Sequence, residues 1–381
     1  MYPATLKKNI IEFPQSSYLG AIPISINTII IGIVSYYDYR NSARWAAFAI
    51  WCISVVLSTA VGVGLVTIQT MRTPESGVSD VAGIWLMTTV PLFTLASAGS
   101  TLLPYLNGVN TKAAITVLVI SFLAWSWAIS LLTFILAIYL FRLLAYKLPG
   151  PQLLASSFLP CAALSQAAFS ILRLAIFLAS YIRTGYAPTQ VEPPPNPEST
   201  LLAVASVIHW IGILMSLGIL GCASFWLFQA TCAFIYAFPK TFNISLWSLV
   251  FPWASYAGAW NFIARDLRND GMRGWGATHT VIATLLWVAC ALPTAYLGFW
   301  KGSLFVSPGL EKWLPEGQHG RGEGGQEGGE QGQAQGQDGS RKHSMNGTYT
   351  FSAAQAGRNG AKDAENGSRR RQPNGSAQAD G

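Results

Sequence analysis

Eight long apolar runs alternate with short polar connections over the first three hundred positions of the chain. They lie near 18–37, 45–68, 83–104, 113–140, 155–182, 201–237, 243–264 and 277–300. Each approaches or exceeds the ~20 residues that an α-helix needs to cross a bilayer. The connections, among them "DYRNSAR", "RTPESGVSD", "YKLPGPQ" and "RDLRNDGMRG", are polar, and the longest, "GYAPTQVEPPPNPEST", is proline-rich and reads as extended chain. The pattern predicts eight membrane-spanning helices. The sixth run is longer than a bilayer requires, so its helix must tilt, kink or project.

A second pattern lies inside the first. Every odd-numbered run carries a proline followed by small or hydroxyl residues: "GAIPISINT" (Pro23), "TTVPLFTLASAG" (Pro91), "SSFLPCAALSQA" (Pro160) and "LVFPWASYAG" (Pro252). The intervals are 68, 69 and 92 residues. The second, fourth and sixth runs have no internal proline, and the eighth has Pro293 near its end. Repetition at a near-constant period marks a repeated structural unit. Here that unit is a hairpin of one proline-kinked and one intact helix. Proline removes a backbone donor and frees a carbonyl. In hydrocarbon such a group is tolerated only against protein or a water-filled cavity. The kinked helices are therefore expected inside, around an axis lined by small side chains, with the Leu-, Ile- and Phe-rich helices as an outer ring.

Composition agrees with a polytopic membrane protein: 51% hydrophobic and only 11% charged. From about Pro308 the chain becomes Gly- and Gln-rich with almost no aliphatic residues, a composition that cannot bury enough surface to fold. The predicted organisation is an N-terminal loop at 1–17, a transmembrane domain at 18–307, and a disordered cytoplasmic tail at 308–381. From Glu316 onward there are eight acidic and eight basic residues, so the net charge of +7 resides on the membrane portion. Lys and Arg divide evenly between the two sets of loops, so loop charge assigns no orientation.

The chemistry is sparse. The five cysteines lie in apolar runs without metal-ligand spacing and read as packing residues. There is no P-loop, no H-E-x-x-H, no G-x-S-x-G, and no Asp or Glu within any run. These features argue against an enzyme, a metal site, a bound cofactor or a nucleic-acid partner. Arg173 is the only Lys or Arg deep within a run. A buried charge there is costly and faces the protein interior by default. Gln166 precedes it by seven residues and shares its face. Arg173 and Gln166 together offer charge and hydrogen bonds to an anion, or else satisfy a neighbouring helix. Thr28 and Thr94, with Ser25, Thr88 and Ser97, either line a path or bond their own helix. His209 and His279 begin the sixth and eighth runs.

In order and spacing these motifs resemble the tellurite-resistance/dicarboxylate transporter family, also called the voltage-dependent anion channel family. "YLGAIPISINTIII", "WLMTTVPLFTLASAGS" and "LWSLVFPWASYAGA" look like its third, fifth and ninth helices. "FRLLAYKLPGPQLLASSFLPCAALSQAAFSILRL" is similar to the sixth-to-seventh junction of the fungal sulfite efflux branch. The resemblance covers roughly residues 2–310. It implies five hairpins around a central pore, of which this chain supplies four, its start resembling the loop before the third helix. It further implies Phe251 as the pore gate and assembly as a homotrimer; Trp247, Ala254 and Gly258 share the face of Phe251 at helical spacing and are expected to flank it. The expected substrate is a small anion, sulfite above all, moved out across the plasma membrane. The alternatives are malate transport and a truncated, inactive member. The expected protein is multi-pass, lies in the lipid bilayer, and has both termini cytoplasmic.

Overall fold

The computed structural model describes residues 15–37, 40–72, 77–184, 197–238, 242 and 244–300. All fall in the first of two units, Met1–Leu314; the second, Pro315–Gly381, lies outside the described residues, as do the predicted tail and most of the predicted N-terminal loop. Among the described residues the chain is helical, without strands.

Eight long helices stand where eight apolar runs were read. They are α1 (Ala21–Tyr36), α2 (Asn41–Thr59, carried through a π-helical turn at Ala60–Leu65 into Val66–Arg72), α3 (Val90–Asn107), α4 (Thr111–Tyr146), α5 (Leu159–Arg183), α6 (Pro197–Tyr236), α7 (Trp247–Asp266) and α8 (Asp270–Ala295). Tight, capped turns close two of the hairpins. Asn110 accepts from the Ala113 amide at 3.1 Å to start α4, and Asn269 accepts from Met272 at 2.9 Å to start α8. Such caps satisfy donors that a helix start otherwise leaves orphaned.

Six of the described helices, extended by their flanking turns, are long and apolar enough to cross a membrane by length and composition. The exceptions, α3 and α7, have 18 and 20 residues and are diluted by Ser, Thr, Gly, Pro and Trp. Both are inner helices. The odd-numbered helices pack side by side in the order α1, α3, α5, α7, and each carries its even-numbered partner outside. No packing of similar extent joins α7 back to α1 among the described residues, so the inner helices form an open arc.

The prolines act differently from the expectation. Each inner α-helix is preceded by a 3-10 segment: Gln15–Gly20, Gly83–Thr88, Ala155–Phe158 and Ile244–Leu246. Pro23, Pro91 and Pro160 then fall in the first turn of the α-helix, at its third, second and second residues. The backbone stays helical across each junction, so these three prolines mark a change from 3-10 to α winding in a continuing helix, not a bend in the middle of an α-helix. Only Pro252, sixth in α7, lies inside its helix, where it leaves the Ser248 carbonyl without its usual donor.

The breaks also abut one another. A Cβ at Gly20 would lie 2.3 Å from the Met87 carbonyl oxygen, and one at Gly83 would lie 2.1 Å from that of Ser156. Glycine at these two sites lets the first three breaks nest at backbone contact.

Candidate functional site

Three levels of side chains stack along the inner helices. The first is a cavity of about 370 Å³ at the breaks. All four repeats contribute to it: Tyr18 from the first, Ile84 and Met87 from the second, Ser156 and Leu159 from the third, Ser245 and Ser248 from the fourth.

The second level is a line of hydrogen bonds between inner helices. Asn27 Nδ2 on α1 donates to Thr94 Oγ1 on α3 at 3.2 Å. Ser97 Oγ on α3 donates to Gln166 Oε1 on α5 at 2.7 Å. Gln166 Nε2 donates to Ser255 Oγ on α7 at 3.0 Å. Every neighbouring pair of inner helices is thus tied by one side-chain bond. The partners are 67, 69 and 89 residues apart, close to the proline intervals, so the ties follow the repeat. Behind them, Ser54 on α2 donates to Asn27 Oδ1 at 2.7 Å. In apolar surroundings each such bond is worth roughly 0.6–1.7 kcal/mol, and it also spares a buried polar group.

The third level is centred on Arg173. Its guanidinium carbon lies 5.4 Å from the Phe169 ring centroid and 5.0 Å from that of Phe262 on α7, with the two rings edge to face. The contact is cation–π. Arg265 also lies over the Phe262 ring, at 5.2 Å. No carboxylate or hydrogen-bond acceptor pairs with the Arg173 guanidinium among the described residues. The four described carboxylates, Asp80, Glu198, Asp266 and Asp270, all lie at helix ends or in a loop. Asp266 is held by His209 Nε2 at 2.7 Å, which places His209 in an α6–α7 clasp.

The levels are in register. Leu159, Gln166 and Arg173 lie on one face of α5 at seven-residue steps, about 10 Å apart along the axis. Ser248, Ser255 and Phe262 do the same on α7. Phe251, half-buried, lies between Ser248 and Ser255 in height and just beside their line around the helix. The predicted flanking residues divide otherwise. Trp247 touches the first cavity but donates its indole N–H to Thr294 of α8 at 2.9 Å. Ala254 and Gly258 are exposed in a groove between α7 and α8. Thr28 is exposed and donates to the Ile24 carbonyl of its own helix at 3.0 Å, as Ser25 does to Ala21. The structure therefore brings Gln166 and Arg173 to one column, sets Phe251 beside it and Thr94 in the α1–α3 tie, and leaves Thr28 apart. Sequence reading passed over Asn27 and Ser255. Ser97 and Gln166 each stand six residues after their proline, but Asn27 stands four and Ser255 three after theirs, so a fixed offset does not find them.

His279 lies elsewhere. It is buried, neither ring nitrogen has a hydrogen-bond partner, and Trp253, Tyr256 and Trp275 box it in at 4.6–5.2 Å between centroids.

This column offers hydroxyl and amide dipoles and a guanidinium, and among the described residues no carboxylate lies on the inner faces to repel an anion. Comparison with known proteins points the same way. The voltage-dependent anion channel (SLAC1) family model matches residues 1–295. The sulfite efflux pump SSU1 of Arthroderma benhamiae is 24% identical over 299 residues, covering 78% of this chain and 75% of that protein. The SSU1 pump of Trichophyton rubrum gives the same figures. That of Candida albicans is 23% identical over 173 residues, 45% of this chain and 35% of its own. No solved structure gives a significant match. The chain belongs to the voltage-dependent anion channel family, a family of membrane anion transporters and channels.

Proposed function

We propose that the chain moves small oxyanions, sulfite first among them, outward across the plasma membrane along the α3–α5–α7 column. The observation that carries this reading is Arg173: a guanidinium deep within α5, steadied by two phenylalanine faces, with Arg265 over one of the same rings and with no carboxylate partner among the described residues. Its N–H groups remain available to a passing anion. The relatives named as sulfite efflux pumps supply the substrate. An ion path must bind well enough to admit its ion and weakly enough to release it. A cationic end followed by a set of neutral dipoles meets both conditions.

The residues take distinct roles. The four-repeat cavity collects the anion. Ser97, Gln166 and Ser255 hold the inner helices at fixed separation and present dipoles midway. Phe251, at the height between cavity and ties, closes the path in one rotamer and opens it in another. Energy comes from the membrane potential, since each charge moved through 100 mV is worth ~2.3 kcal/mol and an inside-negative potential expels anions.

The test is sulfite uptake and release by the purified full chain in proteoliposomes, run beside malate, together with sulfite resistance in cells that lack their own exporter. The reading requires sulfite flux driven by voltage and restored resistance. Flux of malate with none of sulfite would move the assignment to a dicarboxylate carrier; flux of neither would end it.

A further inference from the structure

Arg265 is the last residue but one of α7, exposed, and three residues after Phe262. Its setting differs from that of an ordinary surface arginine. Its guanidinium carbon lies 5.2 Å from the Phe262 ring centroid, and that of Arg173 lies 5.0 Å from the same centroid. The two guanidiniums are therefore no farther apart than about twice either distance, close enough for like charges to repel. Neither has an ion-pair or hydrogen-bond partner among the described residues. A carboxylate follows Arg265 directly in sequence, but the helix turns Asp266 about 100° away, where His209 Nε2 of α6 holds it at 2.7 Å. The other described carboxylates at this end are engaged or distant. Asp270 pairs with Arg273 at 3.4 Å, and Glu198 precedes His209 on α6 by about 16 Å along the axis.

Arg265 also completes a line on α7. Phe251, Gly258 and Arg265 follow one another at seven-residue steps, spanning about 21 Å, and stand about 60° round the helix from Ser248, Ser255 and Phe262. Asp266 lies on the opposite side of Phe262, toward α6, so this second line turns away from α6. At its middle Gly258 is exposed, and a Cβ added there would meet nothing within 4 Å. The line is open between the half-buried Phe251 and the exposed Arg265.

We propose that Arg265 is a second anion station, standing between Arg173 and the water at the end of the path. The proposal rests on the reading of that path as an anion route and adds a residue to it. A single enclosed cation holds an anion well and releases it poorly, whereas conduction favours neighbouring sites that share the ion. An anion leaving Arg173 finds a second cation within about one screening length (~10 Å at 0.1 M salt), and an anion arriving from water meets the exposed charge first. The chemistry favours an oxyanion over a halide, because each guanidinium presents paired N–H donors to two oxygens.

The test measures sulfite binding by the purified full chain, read as the rise of its thermal-unfolding midpoint with sulfite. It is run at about 0.1 M and about 1 M ionic strength, set with sodium gluconate, between which the screening length falls from ~10 Å to ~3 Å. Arg265→Gln is expected to raise the half-saturating sulfite about fivefold at the lower ionic strength and less than about twofold at the higher. Arg265→Lys keeps the charge and is expected to fall between wild type and Arg265→Gln. The position is exposed, and equal midpoints without sulfite show that the fold is intact. Unchanged half-saturation in Arg265→Gln, a loss equal at both ionic strengths, a loss as large in Arg265→Lys, or a wild-type midpoint indifferent to sulfite would each overturn the proposal. Flux measured beside binding keeps the two readings apart. Sulfite bound through Arg265 but not transported ends the transport reading alone; sulfite transported with binding indifferent to Arg265 ends the second station alone.

Discussion

α4 and α5 are neighbours of nearly opposite design. Both are long and apolar enough to cross a bilayer, yet 22% of the apolar window of α4 is buried within the protein against 67% for the span containing α5. α4 exposes Phe122, Trp127, Phe134, Ile138 and Phe141 and has no internal proline. α5 begins at a break, buries Ser165 and Ser170, and carries Gln166 and Arg173 inward. In water the buried helix would be the more apolar of the two. In lipid the solvent is itself apolar, so burial follows polarity: residues that need partners go inside. This inversion explains why α3, the helix most completely enclosed, fails a simple test of hydropathy.

If that division is correct, its sharpest break comes at the backbone contacts of the inner layer. Gly83→Leu should abolish recovery of folded protein, because its side chain would collide with the Ser156 backbone, which cannot yield as a side-chain tip does. Size-exclusion profiles of the detergent-extracted protein report this directly. Arg173→Ala should lower anion flux about tenfold or more at unchanged surface expression, the loss expected when one favourable charge at partly screened distance is removed. Arg173→Lys should keep part of the flux. Equal flux in all three proteins would make Arg173 a packing residue.

Phe251→Ala should raise flux several-fold at rest in patch recordings or liposome assays. A fall in yield with no gain in flux would assign the ring to packing alone. Gln166→Leu removes the acceptor of Ser97 and the donor to Ser255 together. It should destabilise the fold by about 1–2 kcal/mol, read as a lower midpoint in thermal unfolding. Phe134→Leu, on the lipid face of α4, should shift stability by less than about 0.5 kcal/mol and leave flux unchanged.

Much of this was legible in the chain. The number of long helices and their hairpin pairing followed from runs of apolar residues, and the inner layer from the proline period. What escaped was the form of the breaks. A proline in an apolar run signals a disturbed helix, but whether it bends an α-helix or marks a change of winding depends on the residues before it. Here a 3-10 segment precedes each inner helix, and Gly20 and Gly83 allow two of these segments to meet neighbouring backbone. Side-chain direction was the other gap. Trp247, Phe251, Ala254 and Gly258 share one stripe on a helical wheel, yet Trp247 is drawn to Thr294 and the two small residues face a groove on α8. A stripe does not say which neighbour stands opposite. The Asn27–Thr94 and Ser97–Gln166–Ser255 ties needed the repeats to be superimposed on one another, not merely noticed.

The central claim is that the seven-residue column on α5 meets an aqueous anion path while the face of α4 meets lipid. In a background with the native cysteines replaced, Leu159→Cys, Gln166→Cys and Arg173→Cys would be probed with a charged, membrane-impermeant thiol reagent, beside Phe134→Cys. The account predicts labelling at the α5 positions, slowed by sulfite, and none at Phe134. Labelling at Phe134 with all three α5 positions sealed, in the presence and absence of anion and voltage, would contradict it.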